Sequence, residues 1–66
     1  MKTEEILKKA GSKGMNAVKF NKWLDTNNVD YEWLDVTLTD FNDGYYNILV
    51  NEDTNILFID GKFINE

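Results

Sequence analysis

The apolar residues change their spacing once along this chain, after Val29, and that change sets what the chain can fold into. Ahead of it they recur at intervals of three and four: Ile6, Leu7 and Ala10, then Phe20, Trp23 and Leu24, with Ala17 beside Phe20. Such spacing lines one face of a helix. Beyond it they alternate, with Leu34, Val36 and Leu38 separated by Asp35 and Thr37, which is the pattern of a half-buried strand. The expected class is α+β: two N-terminal helices followed by an antiparallel β meander. One small domain over residues 1–66 accommodates this, with a helical hairpin over 1–27 and antiparallel strands over 29–66.

Turn chemistry divides the two halves further. Thr3 is placed to cap the first helix, with Glu4 and Glu5 in its first turn, where carboxylates favour the positive end of the helix dipole. Gly11 and Gly14 break it. Asn16 then caps a second helix running from Ala17 to about Asp25, which Thr26-Asn27-Asn28 ends. The alternating pattern predicts a strand over Trp33–Leu38, a turn at Phe41-Asn42-Asp43-Gly44 and a returning strand over Tyr45–Asn51. Glu52-Asp53-Thr54-Asn55 turns the chain again. Ile56–Ile59 and Lys62–Ile64 flank Asp60-Gly61, a dipeptide that favours a tight hairpin. The expected core comprises Ile6, Leu7, Ala10, Phe20, Leu24, Leu34, Val36, Ile48 and Phe58.

Composition narrows the chemistry. A chain of 66 residues buries only roughly 60% of its extended surface, and its 14% aromatic content supplies much of that burial. Without cysteine there is no disulfide and no thiolate metal site; without histidine the commonest general base and metal ligand are missing. Asp40-Phe41-Asn42-Asp43-Gly44 resembles part of a calcium loop, but Gly44 stands at a ligand position, so it reads as turn chemistry. No pair of carboxylates is singled out by spacing, and no enzyme activity, metal or cofactor is expected. The longest apolar run, Ile56–Ile59, is too short to span a membrane. The first residues lack the order of a signal peptide. A soluble, cytoplasmic protein that does not engage a membrane is expected.

Charge is divided along the chain. Residues 1–22 hold six lysines against Glu4 and Glu5, a net of +4, whereas residues 23–66 hold Lys62 against ten carboxylates, a net of −9. The lysine-rich end coincides with two helices joined through glycine, the raw material of a helix-turn-helix. Ala10 supplies a small residue for close helix approach, Gly14 a permissive turn, and Phe20 and Trp23 the plug into the core. On that register Lys13, Asn16, Lys19 and Lys22 are the candidate nucleic-acid contacts, with Lys8 and Lys9 assisting on the phosphate backbone. A trailing hairpin with its tip near Asp40–Gly44 would act as a wing, giving a winged-helix-like arrangement.

The stretch Gly14-Met15-Asn16-Ala17-Val18-Lys19-Phe20-Asn21-Lys22-Trp23-Leu24, running on to Val29 and Tyr31, resembles the start of the C-terminal domain of phage antirepressors of the KilA type. Gly14, Met15, Ala17, Lys19, Phe20, Asn21, Leu24, Val29 and Tyr31 occupy matching places; Asn16 replaces a serine and Asn28 a glycine, each able to do the same backbone work. The resemblance implies a helix-turn-helix module in phage transcriptional control, with Lys19 and Asn21 as family-like positions. A second stretch, "KWLDTNNVDYEWLDVT" followed by "FIDGKFI", is similar to glutaredoxins. There the redox cysteines would fall on Gly14 and Ala17 and the cis-proline on Asn55. That likeness implies a redox-dead relic whose first strand comes from Glu5–Lys9.

The acidic two-thirds supports a different expectation, a protein-binding inhibitor or adaptor. Asp35, Asp40, Asp43, Glu52 and Asp53 would form an acidic face that engages a basic protein surface by imitating nucleic-acid charge.

Overall fold

The computed structural model describes residues 2–64. Helix α1 spans Thr3–Ala10, α2 Ala17–Thr26 and α3 Leu38–Asn42; strands β1 to β4 span Tyr31–Trp33, Tyr46–Val50, Thr54–Ile59 and Lys62–Ile64. The strands form one antiparallel sheet in the order β1-β2-β3-β4. The α+β class and the order, two helices and then a meander, are as expected. Glu5–Lys9, the segment that the glutaredoxin likeness needs as a strand, lies within α1.

Asn16 caps α2 as anticipated: the Lys19 amide donates to Asn16 Oδ1 at 2.9 Å. The far end of α2 closes in a Schellman arrangement. Asn28 takes φ 53°, its amide donates to Asp25 O at 3.2 Å, and the Val29 amide reaches Leu24 O at 3.0 Å. Val29 and Leu24 are both buried there, so the turn that ends the helix also starts the core. The expected cap on α1 is corrected. Lys2 holds the N-cap position, with no side-chain bond, and Thr3 is already helical. Thr3 Oγ1 instead accepts from Asn51 Nδ2 at 3.3 Å, tying α1 to the β2–β3 turn.

The strand expected over Trp33–Leu38 is also corrected. Pairing ends at Trp33, Asp35 turns to φ 51°, and Leu38 starts α3. A capping box drives this: the Asp40 amide donates to Thr37 Oγ1 at 3.0 Å and the Thr37 amide to Asp40 Oδ2 at 3.2 Å. The supposed wing tip at Asp40–Gly44 is therefore the body and exit of a helix. Leu38 is 71% exposed. Leu34 and Val36 are half-buried rather than core, and Leu7 lies at the exposed margin of α1. At Asp60-Gly61 both φ values are positive, 53° and 79°, as a type I′ hairpin requires.

All three helices lie on one face of the sheet. Tyr46, Ile48 and Val50 of β2 and Ile56 and Phe58 of β3 point to that face and form one cluster with Ile6, Ala10, Ala17, Phe20, Leu24 and Val29. Aromatic rings cross it from helix to sheet: Phe20 lies 5.4 Å from Phe58, Phe58 5.8 Å from Tyr46, and Tyr46 5.3 Å from Phe41. Asn21 sits at the edge of this cluster with its side chain turned inward. Its Oδ1 accepts from Tyr46 Oη at 2.7 Å and from Trp33 Nε1 at 3.1 Å. One oxygen on α2 thus satisfies polar groups from two strands.

Asn21→Ala is expected to lower the unfolding free energy by about 2 kcal/mol in urea titration, because both donors lose their protein acceptor in a part-buried place. Tyr46→Phe removes one donor and leaves the other paired, so it is expected to cost less. Equal costs would mean that the shared acceptor does not hold the layers together.

Candidate functional site

From Ile6 to Leu24 the chain carries five lysines and no carboxylate, and the helical hairpin gathers three of them. Lys9 from the last turn of α1 and Lys19 and Lys22 from α2 surround Met15, Trp23 and Thr26 in an open depression of about 350 Å³. Met15 and Trp23 are half-buried and make an apolar floor. The Trp23 ring stacks on Phe20 at 5.8 Å and 16°, which fixes its plane from below. Lys9 Nζ lies 5.9 Å from the centre of the Trp23 ring, within cation–π range. Lys19 Nζ reaches back to Gly14 O at 3.4 Å. The result is an aromatic and thioether surface ringed by three cations.

The four lysine and asparagine candidates separate in space. Lys19 and Lys22 line the depression. Lys13 sits exposed on the adjoining turn. Asn16 caps α2 and lines a second, smaller hollow of about 200 Å³ beside Val18, Phe41 and Gly61. Asn21 turns inward, its Oδ1 taken by Tyr46 and Trp33. Lys9, Met15 and Trp23 join the site although Lys9 reads as an assisting charge and Trp23 as core. For Trp23 the signal is in the spacing, since Lys19, Lys22, Trp23 and Thr26 recur at intervals of three and four on one side of a helix; Lys9 and Met15 lie outside that helix and join through the fold.

The acidic candidates do not form one face. Asp40 and Asp43 lie in and just beyond α3, and Asp35 precedes it. Glu52 and Asp53 occupy the turn between β2 and β3. The five residues of β2 separate the two groups by roughly 17 Å. Asp40 is further committed to the capping box.

The carboxylate nearest the depression along α2 is Asp25, one turn on from Lys22, and it is engaged: Tyr31 Oη donates to Asp25 Oδ1 at 2.5 Å. Burial, then that hydrogen bond and the adjacent negative charge, push the Tyr31 hydroxyl up to about 12. Burial, with the charges of Tyr31 and Asp25 behind it, pushes Tyr46 up still further. Among the described residues no cluster of three or more carboxylates is disposed to hold a metal ion, and no helix is long and apolar enough to cross a membrane. Comparison with protein-family models, with curated sequences and with solved structures finds no match to this chain.

A tyrosine that stays protonated longer when folded stabilises the fold below its unfolded pKa near 10, and that stability is lost as pH rises towards the folded value. Thermal stability is therefore expected to fall between pH 10 and 12, with a shallower slope in Tyr31→Phe. An unchanged slope in that variant would contradict the upward shift of the Tyr31 hydroxyl.

Proposed function

We propose that this chain is a small nucleic-acid-binding module whose contact surface is the α1–turn–α2 hairpin, of the helix-turn-helix kind used in phage transcriptional control. The observation that carries the reading is the ring of Lys9, Lys19 and Lys22 around the half-exposed Trp23 and Met15, on a stretch without carboxylates. Each ammonium group that meets a phosphate releases condensed counterions, which gives affinity without sequence preference. The ten residues of α2 span about 15 Å, a length suited to a major groove about 12 Å wide. On that docking Val18, Lys19 and Lys22, all exposed, face the groove, while Trp23 packs against sugar or an unstacked base. The carboxylates of α3 and of the β2–β3 turn lie on other elements, so their repulsion orients the chain with its hairpin towards the polyanion.

Binding to labelled mixed-sequence duplex DNA, followed by fluorescence anisotropy at rising salt, tests this. Affinity is expected to fall steeply with salt; Lys19→Ala and Lys22→Ala should each weaken binding and flatten the salt slope by about 1. Lys2→Ala, at the far end of α1, should leave both unchanged. No binding at low salt, or an equal loss with Lys2→Ala, would overturn the reading.

A further inference from the structure

The helices cover one face of the sheet and leave the other without a partner layer. Register and alternation place Glu32 of β1, Asn47 and Leu49 of β2, Asn55, Leu57 and Ile59 of β3, and Lys62 and Ile64 of β4 on that outer face. On its two central strands Leu49 and Leu57 alternate with Asn47 and Asn55. Leu49 and Leu57 are half-buried by their neighbours, whereas Ile59 and Ile64 are 43% and 37% exposed. Asn55 Nδ2 donates to Asn47 Oδ1 at 2.6 Å and to Ile48 O at 2.9 Å, so the Asn55 amide hydrogens and the Asn47 carbonyl are already engaged within the sheet. A helix-backed sheet whose outer face exposes Leu49, Leu57, Ile59 and Ile64 is an incomplete sandwich.

The charges on this face indicate what completes it. Glu32 and Lys62 sit at diagonally opposite corners, on the two edge strands and at opposite ends of the sheet. Glu32 pairs across to Leu49 and so to Asn55, and Lys62 pairs with Ile59, four residues further along β3. That diagonal therefore runs about 14 Å along the strands and about 14 Å across them. A two-fold axis lying in the face and perpendicular to the diagonal brings each Glu32 over Lys62 of a second copy. Such an axis crosses the strands at about 45°, so the strands of the two sheets cross near 90°, one of the two preferred angles for stacked sheets. Asp30, Glu52, Asp53 and Asp60 fall in the connections at the ends of the strands, where they add a polar margin. The face is self-complementary in charge, as an isologous interface must be, and carries aliphatic side chains between its charged corners.

We propose that a second copy of this chain packs on the outer face of the sheet, burying Leu49, Leu57, Ile59 and Ile64 and pairing Glu32 of each copy with Lys62 of the other. The inference is independent of the nucleic-acid reading, because α1 and α2 lie on the opposite face and stay open in both copies. Four strands make a face roughly 20 Å across, which belongs to the smaller and weaker interfaces, so association is expected at micromolar concentration.

Sedimentation equilibrium over a micromolar to millimolar range tests it, with far-UV circular dichroism as the check on folding. The chain should pass from monomer to dimer, and Ile59→Asp should abolish the passage. Glu32→Lys and Lys62→Glu, both at exposed positions, should each weaken the dimer at least tenfold, and the double reversal should restore it to within about threefold. A chain that stays monomeric to millimolar concentration overturns the proposal, as does a dimer indifferent to Ile59→Asp. A dimer that the double reversal fails to restore overturns the two-fold pairing. Capture of a different protein by the monomer would assign the face to that partner instead.

Discussion

The side-chain oxygen of Asn21 accepts two hydrogen bonds, from Tyr46 on β2 and Trp33 on β1, and through them sets how α2 lies on the sheet. Hydrophobic burial alone permits a helix to slide or rotate over an aliphatic surface, because that force has no direction. The Asn21 carboxamide supplies direction. With α2 pinned, Phe20 meets Phe58, Trp23 is left at the margin, and Asn28 ends the helix where Val29 enters the core. A chain of this size has a thin core, so a polar contact that selects one packing matters more than it would in a larger domain.

The same pinning gives α2 two roles on its two sides. Ala17, Phe20, Asn21 and Leu24 face the sheet, while Lys19 and Lys22 stand away from it beside Trp23. Met15 and Lys9 complete that outer surface because the turn at Gly11–Gly14 folds α1 back against it. Charge segregation along the chain thus becomes segregation in space: lysines gather on the hairpin, and most carboxylates lie in α3 and in the turns of the sheet. The acidic residues are divided between two ends of the sheet, whereas the lysines of the proposed contact surface share one hairpin.

Much of the fold was legible because its signals are local. Asn16 as a cap, the Asn28 exit and the Asp60-Gly61 hairpin each depend on neighbouring residues alone. α3 was not, because Leu34, Val36 and Leu38 alternate like a strand while the Thr37–Asp40 capping box three residues apart pulls the chain into a helix. A five-residue helix with no buried residue leaves no period of its own to detect. The site was half legible. Lys19 and Lys22 follow from spacing, but Lys9 joins them only through the tertiary approach of α1. Nothing local marks Asn21 as a core acceptor, because its two donors come from strands far along the chain.

The most direct test of the central claim uses the two tryptophans as internal witnesses. Adding duplex DNA to 15N-labelled protein should shift the Trp23 indole resonance and the amides of Lys9, Met15, Lys19 and Lys22. The Trp33 indole, which donates to Asn21 within the fold, should stay in place. Equal movement of both indoles, or shifts centred on α3 or the β2–β3 turn, would contradict the account.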